Sequence, residues 1–200
     1  MKVVAFNGSS RKDGNTAILI KAVFEELEKA GIETELIQLA GTKIHGCLAC
    51  RKCFSNKDKK CVQSNDPVNE YIAKMAEADG IILGSPVYFS NVTPEIKALM
   101  DRTGYVARAN NAMFARKVGA SVVAVRREGG VHVFNSLNLF FFIEEMIVPG
   151  SIYWNIGHGR EIGEVKNDKE GMEIMRVLGK NMAWLLKKIK SETKAGEEKR

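Results

Sequence analysis

The chain has 200 residues, of which 45% are hydrophobic and 27% charged, a composition typical of a folded globular protein and not of a disordered one. No apolar run approaches the ~18 to 20 residues of a membrane helix, so we expect no membrane association. The net charge of +6 comes from residues 51–60 and 187–200, without a basic stripe interleaved with aromatic residues, which argues against a nucleic-acid partner. The N-terminal apolar run is too short for a signal peptide, and we therefore expect a cytoplasmic protein with reduced thiols.

Strand and helix patterns alternate along the chain. Apolar runs predict strands at residues 2–6, 34–39, 80–84, 118–125 and 147–153. Helical periodicity predicts helices at about residues 15–30, 67–76, 94–103, 132–146 and 170–189. Because the central strands are apolar on both faces, the pattern indicates an α/β fold with a parallel sheet covered by helices on both sides.

Neither an internal repeat nor a linker interrupts this pattern. We therefore predict one domain over residues 1–190, followed by a polar C-terminal tail at 191–200 that is expected to fray. Residues 41–64, between the second strand and the second helix, form a predicted irregular loop rich in cysteine and lysine.

The loop that joins the first strand to the first helix has the chemistry of a phosphate site. Residues 7–16 read Asn-Gly-Ser-Ser-Arg-Lys-Asp-Gly-Asn-Thr, and the two glycines let backbone N–H groups approach an anion. Ser9, Ser10 and Thr16 add hydroxyl donors, and Arg11 adds a charge that can pair with phosphate oxygens. The helix N-terminus favours the same anion through its dipole.

Other phosphate motifs do not fit this loop. A Walker loop ends in Gly-Lys-Ser/Thr where this chain has Gly-Asn-Thr, and a dinucleotide fingerprint needs three spaced glycines. An ordinary Ser/Gly turn, with Asn15 as a helix cap, is the alternative interpretation.

Two further loops are predicted to lie at the same edge of the sheet, where the strands end. The third strand runs into Pro-Val-Tyr-Phe-Ser-Asn at residues 86–91, which offers aromatic contacts for a planar ring. The fourth runs into Arg-Arg-Glu-Gly-Gly at residues 126–130, which offers basic side chains beside a glycine turn.

These three loops, with Lys97 and residues 100–102 after the second, resemble the NADPH-dependent FMN reductase family of flavodoxin-like proteins over about residues 1–186. The resemblance implies a flavodoxin-like three-layer sandwich with a five-stranded parallel sheet of order 2-1-3-4-5, FMN as cofactor and NAD(P)H as a candidate donor. Because the flavin itself carries the chemistry, we expect no catalytic side chain, and His45, His132 and His158 are expected to be isolated. The cofactor-binding residues that the resemblance implies are Ser9, Ser10, Arg11, Asn15, Thr16, Pro86, Val87, Tyr88, Phe89, Asn91, Arg127, Glu128, Gly129 and Gly130.

All four cysteines fall in one short run, at Cys47, Cys50, Cys53 and Cys61. In a reduced compartment this clustering indicates a metal site or redox-active thiols and not structural disulfides. The spacing resembles that of the iron–sulfur flavoproteins, a branch of the same family, which implies a [4Fe–4S] cluster on the four cysteines; nearby lysines and arginines would offset its negative charge. A zinc site and free thiols remain the alternatives.

The sequence therefore predicts an FMN-dependent oxidoreductase in which electrons pass between the flavin and an iron–sulfur cluster. A cluster-free NAD(P)H-dependent FMN or quinone reductase, a non-enzymatic electron carrier and a redox sensor are the alternatives. A nicotinamide, a ferredoxin, a quinone and O₂ are all candidate partners. An aromatic stripe on the predicted helix 132–146 indicates a core face plus a homodimer or homotetramer interface, formed by Phe134, Leu137, Phe140, Phe141 and Phe142.

Overall fold

The computed structural model describes residues 1–197. Five strands form one parallel sheet in the order β2-β1-β3-β4-β5, which confirms the predicted flavodoxin-like topology. The central strands β3 and β4 are buried along almost their whole length, as expected for a sheet covered on both faces. The strands are β1 (Lys2–Asn7), β2 (Glu33–Gln38), β3 (Gly80–Pro86), β4 (Val118–Val125) and β5 (Ile156–His158).

Helices cover the sheet in two layers. One apolar core lies between the sheet and helices α1 and α6, and a second lies between the sheet and helices α3, α4 and α5. Within residues 1–197, no helix is both long enough and apolar enough to cross a bilayer. The helices are α1 (Asn15–Lys29), α2 (Lys52–Asn56), α3 (Val68–Glu77), α4 (Pro94–Ala109), α5 (Gly130–Ile143) and α6 (Lys169–Glu197), with a 3₁₀ turn at Glu164–Asn167.

The last strand is not where the sequence pattern placed it. In the predicted range 147–153, only Ile147 makes a bridge, to Val118, and the chain then leaves the sheet at Pro149-Gly150. Proline has no N–H to donate to a ladder, so it ends pairing at this point. The fifth strand is instead Ile156–His158, which pairs with Val123–Val125 and lies beyond the predicted range.

Several helix boundaries also differ from those predicted. Helix α4 continues to Ala109, and α5 begins at Gly130, because the left-handed Gly129 (φ +85°) turns the chain just before it. Helix α6 extends to Glu197, into the segment expected to be a polar tail. Residues 198–200 of that tail lie outside the described residues. The predicted irregular segment contains one short helix, α2.

The aromatic stripe on α5 divides between the core and the surface. Leu137, Phe140 and Phe141 are buried against the sheet, whereas Phe142 is exposed. Exposed neighbours extend this apolar surface at Leu139 and Ile143. One side of α5 therefore packs in the core, as predicted, whereas the predicted oligomer interface stays a prediction.

Candidate functional site

Four strand ends meet at the carboxyl edge of the sheet and enclose a cavity of about 310 Å³. Since β1, β3, β4 and β5 are parallel neighbours in the sheet, their following loops all reach this edge. The cavity is lined by Ser9, Arg11, Asn15, Thr16, Pro86, Val87, Tyr88, Ala124, Arg126, Gly159 and Arg160.

Two amide side chains hold the loop at residues 7–16 in place through hydrogen bonds. The buried Asn7 accepts from the N–H of Ser9 at 3.0 Å and donates to Gln38 Oε1 at 2.6 Å. Gln38 in turn donates to the Ser9 carbonyl at 2.7 Å. Gly8 lies so close to α4 that a Cβ added there would be 2.2 Å from Ile96 Cγ1. The loop conformation is therefore set by contacts from three other elements.

Polar groups on this loop are left without partners, and they surround the cavity. The hydroxyl of Thr16 is buried and has no hydrogen-bond partner. Helix α1 begins after Gly14 with no side-chain cap, and the first N–H groups of a helix have no acceptor within it. Ser9 Oγ is close by, accepting from the N–H of Arg11 at 3.1 Å. An anion with several acceptor oxygens would satisfy these donors.

Three arginines line the same cavity. Arg11 was predicted to bind phosphate, and its Nη1 donates to the carbonyl of Arg160 at 3.1 Å. Arg126 follows β4 directly and was recognised only as part of a loop, not as a site residue. Arg160 was missed because β5 was misplaced; placing that strand at Ile156–His158 would have put Gly159 and Arg160 at its carboxyl end. Their charges make the cavity suited to a dianion.

Asn15 lies at the cavity wall, but its side chain is already occupied. Its Nδ2 donates to the carbonyls of Gly159 and Glu161 at 3.0 and 2.9 Å, and its Oδ1 accepts from the N–H of Gly163 at 2.9 Å. The amide therefore holds the loop after β5 against α1. Only the backbone N–H of Asn15 is left for the phosphate role that the resemblance implied.

The loop after β3 contributes one wall of the cavity. Pro86, Val87 and Tyr88 line it, and Tyr88 Oη lies 2.7 Å from Ser10 Oγ, which joins two predicted site residues. The loop then reverses at Phe89, whose side chain is fully exposed. Asn91 closes this reversal by pairing its backbone with that of Tyr88 at 2.9 and 3.0 Å, so neither Phe89 nor Asn91 lines the cavity.

Residues 127–130, the remaining predicted flavin contacts, line a neighbouring cavity of about 390 Å³. Trp154 stacks near Tyr153 on its wall, with ring centroids 4.7 Å apart. His158 also lines this cavity and was expected to be isolated, yet its Nδ1 lies 3.3 Å from Asp168 Oδ2. The structure thus divides most of the predicted flavin residues between two neighbouring cavities, and Ser10, Phe89 and Asn91 line neither of them.

The four cysteines surround one small void of about 20 Å³. Cys53 is buried, Cys50 is exposed, and Cys47 and Cys61 are intermediate. Burial raises the pKa of the Cys53 thiol, and nearby Cys47 and Cys50 add to this shift against the opposing effect of backbone hydrogen bonds. Among residues 1–197, however, no three His, Cys, Asp or Glu side chains are arranged as a ready set of metal ligands.

The backbone around these thiols turns sharply. Non-glycine residues with positive φ occur at Ala49 (51°), Arg51 (56°), Lys57 (50°) and Lys59 (61°), a conformation that costs on the order of 1 kcal/mol or more for each side chain. These turns lie between successive cysteines along the segment. Its basic side chains all lie in solvent; they are Arg51, Lys52, Lys57, Lys59 and Lys60.

Comparisons with known proteins agree with this architecture. The family model for NADPH-dependent FMN reductase matches residues 1–161. An iron-sulfur flavoprotein of Methanocaldococcus jannaschii is 40% identical over 196 residues, covering 95% of this chain and 100% of the relative. An iron-sulfur flavoprotein of Methanosarcina thermophila is 32% identical and covers 94% of this chain and 97% of its own.

Solved structures show the same fold at low sequence identity. An NAD(P)H:quinone oxidoreductase from Methanothermobacter marburgensis superposes with a TM-score of 0.67 at 15% identity, covering 91% of this chain and 96% of its own. A flavodoxin from the domain Archaea superposes with a TM-score of 0.60 at 16% identity, over 94% of this chain and 99% of its own.

Proposed function

We propose that this chain, which belongs to the NADPH-dependent FMN reductase family and is a flavin-dependent oxidoreductase, passes electrons between FMN and a [4Fe–4S] cluster. FMN would occupy the cavity at the carboxyl edge of the sheet, and the cluster would be held by the four cysteines. The observation that carries the cluster is that all four cysteines line one void although they are spread over residues 47–61.

The cavity fits a flavin phosphate at one end and a ring at the other. The unpartnered Thr16 hydroxyl and the free N–H groups of α1 would donate to the phosphate, and Arg11 and Arg160 would neutralise its charge. The wall at residues 86–88 offers a proline, a valine and a tyrosine as an apolar surface for the ring. Residues 127–130 would border the ring from the adjacent cavity. Bound FMN supplies both one-electron and two-electron redox chemistry, and the chain's residues orient it.

The donor set of the cysteine void fits an iron–sulfur cluster. Thiolates are the ligands of [4Fe–4S] centres, and the named relatives are iron-sulfur flavoproteins. A void of about 20 Å³ is smaller than the volume of a cluster, so the thiols must move apart to receive it. Cys50 is exposed and can move without losing packing, whereas Cys53 on the five-residue helix α2 packs in an apolar cluster with Val68, Ile72 and Val106. The movement therefore falls mainly on the other cysteines.

Helix α4 links the two sites. It begins at Pro94, a few residues after the flavin-side loop, and Arg102 on the same helix lines the cysteine void. Nine residues separate Thr93 from Arg102, which at 1.5 Å per residue is about 13 Å along the helix. The two proposed redox centres are therefore joined by one rigid element.

Anaerobic purification with FMN, iron and sulfide quantitation tests the proposal. We expect one FMN and about four iron atoms per chain. Cys53→Ser, at the buried ligand, should lose the iron and keep the FMN. Iron-free protein from strictly anaerobic cells would overturn the cluster, and protein that does not bind added FMN would overturn the flavin site. Turnover with NADPH, reduced ferredoxin, a quinone or O₂ then identifies the partner class.

A cluster-free NAD(P)H-dependent FMN or quinone reductase is the second candidate. The observation that favours it is the absence, among the described residues, of a preformed set of metal ligands. For this candidate, quinone reduction by NADPH would proceed at the same rate in the wild type and in a variant with all four cysteines replaced by serine.

A further inference from the structure

An ion pair is completely buried beneath the cysteine void. Arg102 on α4 donates to Asp66 just before α3, and the side chains are 0% and 1% exposed. Arg102 is among the largest fully buried side chains of the described residues. Charged groups are rarely buried without a partner because removing them from water is costly, so this position needs an explanation beyond packing.

The guanidinium of Arg102 fastens both ends of the cysteine run to α4. Its Nη1 donates to the carbonyl of His45 at 3.3 Å, and its Nη2 donates to the carbonyl of Gln63 at 2.9 Å. His45 precedes Cys47 and Gln63 follows Cys61, so one side chain holds the chain on either side of the four thiols.

The Nε–H of Arg102 makes no hydrogen bond. This nitrogen is buried, and the residue lines the same void as the four cysteines. Of the two charged partners, Arg102 lines this void and Asp66 does not, so the positive member of the pair is the one beside the cysteines. The surface cations of the segment, such as Lys52, are exposed and screened by water.

We propose that Arg102 is the positioning residue of the cysteine site, which ties both ends of the segment to α4 and provides a buried positive charge at the sulfurs. The anchoring is a property of the chain itself. The effect of the charge on the cluster rests on the proposed function. A cluster held by four thiolates carries net negative charge, and a cation in low dielectric offsets it far better than solvated lysines do.

The position requires a side chain that can donate hydrogen bonds in several directions at once, as a guanidinium does. Arginine can donate in several directions from one plane, whereas lysine has a single ammonium on a flexible chain. Arg102→Lys would keep a charge opposite Asp66 but could not reach both carbonyls. Asp66→Asn/Arg102→Gln would remove both charges together and so avoid an unpaired buried ion if Arg102→Gln alone does not fold.

The experiment compares four flavin-bound proteins: wild type, Arg102→Lys, the double variant and the control Lys52→Gln, which removes an exposed charge beside Cys53. Amide hydrogen exchange of residues 46–62 is measured after iron is removed. Iron release to a chelator and the midpoint potential are measured in the loaded protein.

We expect faster exchange at residues 46–62 in both Arg102 variants and no change in the control. Iron release should accelerate about tenfold or more, the usual effect of losing a partner that supports metal ligands. In the double variant the midpoint potential should become more negative, because Arg102 lines the void and Asp66 does not, so removing the pair takes away more positive than negative potential at the cluster. A purely structural role would leave the potential unchanged.

Wild-type exchange in both Arg102 variants would overturn the anchoring. Faster exchange with unchanged iron release and potential would overturn the role of the charge and leave Arg102 as a structural residue. If the wild type binds no iron, the charge effect fails together with the cluster, while exchange in the iron-free protein still decides the anchoring.

Discussion

The loop at residues 7–16 and the cysteine segment at residues 41–64 both follow the carboxyl end of a strand, but only the first is organised before its ligand arrives. In the loop, buried Asn7 and Gln38 hold the backbone so that the remaining donors border an open cavity. In the segment, the thiols range from buried to exposed around a void of about 20 Å³.

Electrostatics explains the difference. N–H groups and hydroxyls are neutral, so a protein can hold several of them around a cavity without large repulsion. Four thiolates repel one another, and a metal site must have its ligands deprotonated to bind. A folded chain can therefore prepare a phosphate site completely, whereas a cluster site is completed by its metal. Buried Arg102 is the one part of the cysteine site that is already in place.

The largest expected effect separates the two regions directly. Removing the iron should increase amide exchange at residues 46–62 by about a hundredfold or more, since few buried contacts hold this segment. Removing FMN should leave exchange at residues 7–16 nearly unchanged, because Asn7 and Gln38 remain in place. Hydrogen-exchange mass spectrometry of the holo, iron-free and flavin-free proteins measures both. Equal loosening of the two regions would contradict the comparison.

A buried carboxyl outside both sites should dominate the pH dependence of stability. Glu144, at the end of α5, has an unpartnered Oε2; burial raises its pKa to about 7, opposed by Arg108 and reinforced by Glu145. Between its unfolded pKa near 4.5 and about 7, the unfolded chain releases a proton that the folded chain retains. The free energy of unfolding should therefore fall as pH rises through this window, by up to about 3 kcal/mol.

Chemical denaturation from pH 4.5 to 8 measures this decrease. Glu144→Gln should remove it, and the exposed Glu145→Gln should retain it. If Glu144→Gln keeps the full pH dependence, another group is responsible. In Glu144→Gln, flavin and iron retention could also be compared across pH without the change in stability that Glu144 causes.

A methyl group at Gly8 should damage the loop that is preorganised. The added Cβ would lie 2.2 Å from Ile96 Cγ1 and 2.7 Å from Thr93 Oγ1, so the loop or α4 must shift. We expect Gly8→Ala to cost about 2 kcal/mol of stability, as overpacked sites do, and to weaken FMN binding by about tenfold or more. Fluorescence titration with FMN and thermal unfolding provide the two values.

Gly150→Ala is the matched control, because nothing lies within 4 Å of a Cβ at that position. Unchanged FMN affinity in Gly8→Ala would mean that the loop tolerates movement and is not preorganised.

Thr16→Val has the smallest expected effect: it should stabilise the flavin-free protein but weaken FMN binding. Thr16→Val removes a buried hydroxyl that has no partner, so the flavin-free protein should become more stable by about 1 kcal/mol. FMN affinity should nevertheless fall about tenfold, since one donor to the phosphate is lost. Ser121→Ala, which removes another unpartnered buried hydroxyl inside β4, should stabilise the protein and leave FMN affinity unchanged. Equal affinities for wild type and Thr16→Val would exclude the hydroxyl from the phosphate site.

The sequence by itself determined the sheet order through its family resemblance, and it identified the candidate phosphate loop through its own residues. That loop was predictable because its ring of donors lies within residues 7–16, where local order and three-dimensional proximity coincide. The spacing of the four cysteines was readable for the same reason. The predicted position of the fifth strand was wrong because three residues are too few to display a periodic pattern. Gly159 and Arg160, which follow that strand, were missed for the same reason.

Tertiary structure alone decided what surrounds these motifs. Gln38 reaches the loop from a neighbouring strand. The side-chain amide of Asn15 forms its hydrogen bonds with residues 159–163, far along the chain. Arg102 and Asp66 are 36 positions apart, and nothing in their local sequence indicates that both are buried. Burial of a charge depends on partners brought together by folding, so the sequence displayed the candidate ligands of each proposed site but not the residues that hold them in place.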